Sequence, residues 1–155
     1  MNRLFQTIKT DIKVVVAEDD QISRVMLNAV LRKWGHDVMA ARDGLECLEM
    51  ICNSPAPVVG LLDWYMPDFD GGTICQSMRK IETDQPVHLI LMTSVLDGTE
   101  AIRSIENGAD DFLAKPYSIP DLNAHMIKAQ RHLNLLKRLR DLEGSNFSPS
   151  HSGEG

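Results

Sequence analysis

A doubly wound α/β domain of (βα)5 type, built on a five-stranded parallel sheet, is the fold this sequence predicts, and three observations predict it. Short apolar runs, Val14 to Ala17, Val58 to Leu62, Val87 to Met92 and Phe112 to Ala114, read as strands buried on both faces. The stretches between them carry apolar residues at helical spacing. Each run also ends on a group with chemistry: Glu18-Asp19, Asp63, Thr93 and Lys115 follow the four runs in turn. Ligands of open parallel sheets bind beyond the carboxyl ends of the strands, so these groups should share one edge.

The elements follow in order. Residues 1–11 carry no pattern and form an amino-terminal segment. Strand 1 covers about 13–17, and Asp20 is suited to cap the next helix. Ile22, Val25, Met26, Ala29, Val30 and Trp34 mark the apolar face of that helix, and Gly35 ends it. His36 to Ala41 forms strand 2, and Asp43-Gly44 turns into a helix carrying Leu45, Leu48 and Ile51. Asn53-Ser54-Pro55 breaks it, and strand 3 leads to Asp63. Pro67 and Gly71-Gly72 mark a loop before a helix with Ile74, Met78 and Ile81. Strand 4 covers 87–92, and a fourth helix runs from about 98 to 107, where Gly108 stops it. Strand 5 is Asp111 to Ala114, and Pro116 turns the chain into a last helix beginning near Ile119. Crossovers should be right-handed. The expected organisation is one domain over 12–133, then a helix extension and disordered tail over 134–155, polar from Ser145 onward.

Composition excludes several classes. The 155 residues suit a single domain, and 43% apolar content supports a core. A net charge of −6 argues against nucleic acid as a partner. Cys47, Cys52 and Cys75 match no metal spacing and read as buried free thiols, which suit a reducing compartment. There is no apolar stretch of the ~18–20 residues that span a bilayer, and no signal-peptide pattern, so the expected location is cytoplasmic without membrane partners.

The chemistry of the shared edge is that of a divalent metal and a phosphoryl group. Two carboxylates about 4 Å apart repel by roughly 4 kcal/mol at an effective dielectric near 20. A hard cation removes that repulsion, and Mg²⁺ takes one or two carboxylates together with waters and phosphate oxygens. Asp63 is the candidate nucleophile, since a carboxylate can accept a phosphoryl group as an acyl phosphate. Mg²⁺ held by Asp19 would neutralise charge on one side and the Lys115 ammonium on the other, with the Thr93 hydroxyl donating to a phosphoryl oxygen. Glu18 and Asp19 could instead serve only the helix that follows, but a third carboxylate at the neighbouring strand end argues for the metal.

Four stretches in order resemble the receiver domain of two-component response regulators: Val14 to Asp20, Leu61 to Gly71, Leu91 to Ser94, and Gly108 to Pro116. The resemblance covers about residues 12–133. It implies a flavodoxin-like sheet of strand order 2-1-3-4-5 and phosphorylation of Asp63 by a histidine kinase or phosphotransfer protein. It implies that Glu18, Asp19, Asp63 and the main-chain carbonyl of Tyr65 hold Mg²⁺, or Mn²⁺ in its place. Glu18 stands where Asp is commoner, which suggests a contact through water. Thr93 and Phe112 match the switch pair, Ser94 follows Thr93 in the matched stretch, and Lys115-Pro116 match the lysine and its cis peptide bond. Such a domain is a signalling phosphoacceptor rather than an enzyme, although it assists its own Mg²⁺-dependent phosphorylation and dephosphorylation. Its partner-binding surface switches to reach an effector domain or downstream protein.

Weaker signals weigh less. Asp68-Phe69-Asp70-Gly71 resembles part of a calcium loop, but the twelfth position is Arg79 instead of Glu. A haloacid-dehalogenase-type phosphatase is the rival from another class, and 155 residues leave no room for a sizeable cap domain. A receiver fold that binds partners without phosphorylation is disfavoured by the complete acidic, Thr and Lys set. No effector domain follows within the sequence, which fits a stand-alone regulator or a receiver taken from a longer protein. His125 and His132 are expected to be solvated, as is the basic face of the last helix. Tyr65 and Val95 flank the water's approach in receivers, and neither is a carboxylate or amide able to orient it while both are bulky enough to obstruct it, which predicts slow self-dephosphorylation. Leu122, Met126, Ala129, Leu133 and Leu136 should pack on the sheet, while Leu135, Leu139 and Leu142 would protrude. Such leucines predict a homodimer through the last helix and the face of helix 4, strand 5 and helix 5.

Overall fold

The computed structural model describes residues 12–94 and 99–147. The amino-terminal segment 1–11, Val95, the expected start of helix 4 at 98 and the tail beyond 147 lie outside them. The valine run Val14-Val15-Val16 sits in a strand, β1 (Lys13–Ala17), because β-branched side chains fit a pleated surface covered on both sides. It is followed by α1 (Gln21–Lys33), β2 (Asp37–Ala41), α2 (Gly44–Cys52), β3 (Val58–Asp63), α3 (Gly71–Arg79), β4 (Val87–Thr93), α4 (Thr99–Glu106), β5 (Asp111–Ala114) and α5 (Ile119–Phe147). The strands pair in parallel in the order β2-β1-β3-β4-β5, as expected.

Alternation along each strand divides the core into two layers. Val14, Val16, Val59, Leu61, Ile90 and Met92 face Leu27 and Leu31 of α1 and Leu122, Met126, Ala129 and Leu133 of α5. Val15, Ala17, Leu62, Leu89 and Leu91 face Cys47 and Ile51 of α2 and Ile74, Cys75 and Met78 of α3. Helix ends follow local rules. Asp20, Asp43 and Asp70 each accept from the backbone N–H three residues on, and Gly35 and Gly108 take positive φ (92° and 95°) at the stops. Cys47 and Cys75 are buried free thiols and Cys52 is half-buried. Among the described residues no helix is long and apolar enough to cross a membrane.

Three expectations need correction. The apolar face of α1 is Leu27, Leu31 and Trp34, with Val30 partly buried, whereas Ile22, Val25 and Met26 are 72%, 58% and 64% exposed. Helical spacing finds both sets, because α1 is apolar on two sides: Leu27 lies five residues, about 140° of rotation, from Ile22. Leu45 of α2 is also exposed, with Cys47 buried on that helix instead, and Ile81 is exposed beyond the end of α3, which stops at Arg79. His125 and His132 are not solvated. The stripe of α5 that packs on the sheet brings both over the strands, where His125 Nδ1 lies 2.6 Å from Asp111 Oδ2 and His132 Nδ1 lies 2.8 Å from Nδ1 of His88. The helix beyond Leu133 runs on as expected and stays tied to the domain. Arg140 donates to the carbonyls of Thr83 and Asp84 (3.0 and 2.8 Å), and Leu136 is half-buried, while Leu135, Leu139 and Leu142 are exposed.

Candidate functional site

Parallel register brings the ends of β1, β3, β4 and β5 to one edge. Ala17 pairs with Leu62, Asp63 with Met92 and Thr93 with Ala114, so Glu18, Asp63, Thr93 and Lys115 leave the sheet side by side. Main-chain bonds beyond the strands fasten this edge: Trp64 N–H donates to the Met92 carbonyl and Lys115 N–H to that of Thr93, both at 2.8 Å. Behind Asp63 the chain turns tightly into α3. Gly71 N–H donates to the Trp64 carbonyl (2.9 Å), and a Cβ on Gly71 would stand 2.6 Å from the Asp63 carbonyl oxygen.

Two of the carboxylates are buried. Glu18 is 2% and Asp63 8% exposed, and the half-buried Lys115 lies between them. Its Nζ lies 2.5 Å from Glu18 Oε1 and 3.5 Å from Asp63 Oδ2. The second oxygen of Glu18 accepts from Asp20 N–H (3.2 Å), and Asp63 Oδ1 accepts from Tyr65 N–H (3.4 Å). Burial, reinforced by the neighbouring Glu18, pushes the Asp63 carboxyl up to about 6 against the pull of Lys115. Burial acts the same way on Glu18, but hydrogen bonds with Asp63 and Lys115 overcome it and hold that carboxyl below the usual range. Burial would lower Lys115, and its bond to Glu18 and the nearby Asp63 charge raise it instead, so the ammonium persists.

The remaining expected residues fall around this cluster. Asp19 is exposed, and its carboxylate takes no hydrogen bond or ion pair among the described residues. Thr93 is 1% exposed, and its hydroxyl has no hydrogen-bond partner among them, an orphan that a buried site should not keep without purpose. Phe112 is half-buried two positions before the register partner of Thr93, so both side chains project to the same face of the sheet. Ser94 and Pro116 are exposed, and Lys115-Pro116 is a cis peptide bond, as expected. The side chain of Tyr65 points outward, 60% exposed. The donor set is all oxygen, with one carboxylate free at the surface and two inside, and it fits a hard divalent cation.

Several contributors escaped sequence reasoning. Arg24 of α1 reaches back to the carbonyls of Glu18 (2.8 Å) and Asp19 (3.4 Å) and so shapes the β1–α1 turn. Asp68 accepts from the N–H groups of Gly44 and Leu45, tying the loop after Asp63 to the start of α2. Arg103 of α4 stacks over the buried Trp64 ring at 5.2 Å. Each joins segments far apart in the chain or uses a charged residue of ordinary appearance, and no local spacing marks it.

Comparison with known proteins follows the same lines. Residues 14–127 match the family profile described as response regulator receiver domain. The "Probable transcriptional regulator ycf27" of Porphyridium aerugineum is 35% identical over 135 residues, 87% of this chain and 55% of that protein. The Francisella response regulator 1452 receiver domain superposes with a TM-score of 0.69 at 30% identity, covering 77% of this chain and 97% of that one. A probable two-component system response regulator/GGDEF domain protein gives 0.73 at 28% identity, over 80% of this chain and 51% of that one. The chain thus spans about half the length of the curated relatives it matches.

The site's electrostatics give a measurable consequence. Because the folded Asp63 carboxyl lies above its unfolded value, the cost of ionising it is absent below about pH 4 and grows as pH rises through 6. Asp63→Asn should match the parent in stability near pH 4 and exceed it at pH 7 without divalent ions. The expected excess is about 1–2 kcal/mol, less than the whole shift because Asp63 titrates coupled to Glu18 and Lys115. Thermal melts in chelator from pH 4 to 7.5 check this; a difference that does not vary with pH contradicts it.

Proposed function

The chain belongs to the response regulator receiver family, and on that premise we propose that Asp63 is its phosphoacceptor within a domain spanning 12–133. Receiver domains of two-component systems are signalling phosphoacceptors that work with histidine kinases and effector domains. The observation that carries the residue assignment is the Lys115 ammonium set between two buried carboxylates, beside the unpartnered Thr93 hydroxyl. An oxygen of Asp63 attacks phosphorus in line, the new O–P bond forms an acyl phosphate, and the electron pair of the broken P–N bond returns to the donor imidazole. Lys115 faces the charge arriving on the phosphoryl oxygens, and Thr93 donates its hydroxyl to one of them. Mg²⁺ or Mn²⁺, when bound, neutralises phosphoryl charge. Asp19, Asp63 and the Tyr65 main-chain carbonyl would hold that ion. Glu18 would reach it through water, since its oxygens are engaged by Lys115 and Asp20 N–H.

Drawing Thr93 toward the phosphoryl group vacates space on the face it shares with Phe112, which rotates inward and alters the α4–β5–α5 surface. The size of this population shift is set by the difference in contacts between the two states. The donor, a histidine kinase or phosphotransfer protein, docks on the exposed stripe Ile22, Val25 and Met26 of α1 beside Ile119. Met26 and Ile119 of this surface line a cleft of about 450 Å³ that runs to Glu18 and Lys115. Release of the phosphoryl group is slow, because Tyr65 is neither a carboxylate nor an amide that would orient an attacking water and is bulky enough to obstruct it. The output is an effector domain or downstream protein, and the setting is cytoplasmic. A second copy pairs through Leu135, Leu139 and Leu142 of α5 and the exposed Ile102 and Ile105 of α4.

Beryllofluoride with Mg²⁺ should occupy one site, seen by fluorine NMR, and a small phosphodonor should add one phosphoryl group by intact mass. Both signals are lost in Asp63→Asn. Thr93→Ala keeps the occupancy and loses the shift of Phe112 resonances. Labelling that survives Asp63→Asn unchanged would overturn the assignment. For the dimer, sedimentation of the chain with beryllofluoride should give a two-subunit species that Leu139→Glu dissociates by at least about tenfold, as expected when ~1.4 kcal/mol of apolar contact is removed. A monomer at high micromolar concentration contradicts pairing.

A further inference from the structure

The amino-terminal edge of the sheet, opposite Asp63, carries a second cluster of polar groups. His88 is the second residue of β4, Asp110 directly precedes β5, and His132 comes from α5. One ligand atom from each lies within 4.8 Å of the others. From His88 to Thr93 is five residues of strand, roughly 16 Å, so this cluster is separate from the phosphoacceptor edge. The two imidazoles meet edge to face, nitrogen to nitrogen, with Nδ1 of one 2.8 Å from Nδ1 of the other. His88 is 4% exposed, and its Nε2 has no partner among the described residues.

The carboxylate is held in place. Asp110 Oδ2 accepts from Leu89 N–H at 2.8 Å and from Arg79 at 2.6 Å, while Oδ1 takes no bond among the described residues. Ligating carboxylates are commonly fixed through one oxygen in this way. We propose that His88, Asp110 and His132 form a site for a divalent transition-metal ion of the Zn²⁺ class. Two imidazoles and a carboxylate suit Zn²⁺, Co²⁺ or Ni²⁺, whereas Mg²⁺ prefers the all-oxygen edge at Asp63, so the two ends of the sheet select different ions. Two nitrogens each ~2.0–2.1 Å from one ion in tetrahedral geometry stand about 3.3 Å apart, which asks the rings to part by roughly half an ångström. That adjustment would fall to His132, the half-buried member of the pair. Arg79 opposes the ion by charge, but it bonds Oδ2 of Asp110 and leaves Oδ1 open to a further partner. Three protein ligands leave a fourth position to water, and the ion ties α5 to the starts of β4 and β5.

The test uses the untagged full chain, stripped with chelator and titrated with Co²⁺ by visible absorption, with Zn²⁺ as competitor. Asp63→Asn is run in parallel so that the acidic edge cannot supply the signal. One equivalent of Co²⁺ with the absorption of imidazole ligation should appear in both proteins. Zn²⁺ should displace it and raise the melting temperature by mass action. His132→Gln and Asp110→Asn should each weaken binding by more than about tenfold, the least that losing even an outer-shell partner costs. His125→Gln, on the same face of α5, should bind as the parent does. Melts of the metal-free variants check that each is folded. No cobalt absorption at millimolar Co²⁺, or equal binding by His132→Gln and the parent, overturns the proposal.

Discussion

The Lys115 ammonium allows two buried carboxylates to stand side by side at the end of a parallel sheet. Without it, Glu18 and Asp63 would face each other with neither water nor a partner charge, a repulsion of several kcal/mol at protein dielectrics. With it, Glu18 is held ionised and Asp63 is left as the strained member of the pair, pushed up to about 6. A carboxylate kept in that condition gains most from an arriving cation. It is also the group proposed to become the acyl phosphate, whose added negative charge Lys115 and a bound cation would offset. Site chemistry and the electrostatic cost of the fold therefore come from one arrangement.

That arrangement depends on the sheet. Lys115 is brought to Glu18 across 97 residues of chain only because β5, β4, β3 and β1 end together, and the Lys115 N–H bond to the Thr93 carbonyl fixes the level at which β5 stops. Beyond Lys115 the chain turns into α5, whose stripe Leu122, Met126, Ala129 and Leu133 closes one core layer. The helix that closes the core also carries the exposed leucines and His132. The roles proposed for both ends of the sheet thus depend on residues that this helix, or the turn leading into it, holds in place.

The fold and the cluster were legible in the sequence because their signals are local. Runs of buried aliphatics name the strands, a residue with chemistry ends each of four runs, and Asp20, Asp43, Gly35 and Gly108 mark helix ends. What failed was partition between faces. In α1, spacing cannot say whether Ile22, Val25 and Met26 or Leu27 and Leu31 meet the core, since a helix apolar on two sides satisfies both readings. The histidines failed for another reason. His88 is inside a strand and His132 on a distant helix, 44 residues apart, and only the packing of α5 on β4 makes them a pair. Arg24 and Asp68 act on main-chain groups, which carry no sequence signature.

The measurement that tests the electrostatic account most directly is a pH titration of the Asp63 side-chain carboxyl carbon by NMR, in chelator and again with Mg²⁺. The account predicts a midpoint near 6 without metal, well above an ordinary aspartate, and a fall when Mg²⁺ is added, because the cation stabilises the ionised form. An Asp63 midpoint at the ordinary value near 4, unmoved by Mg²⁺, would contradict it.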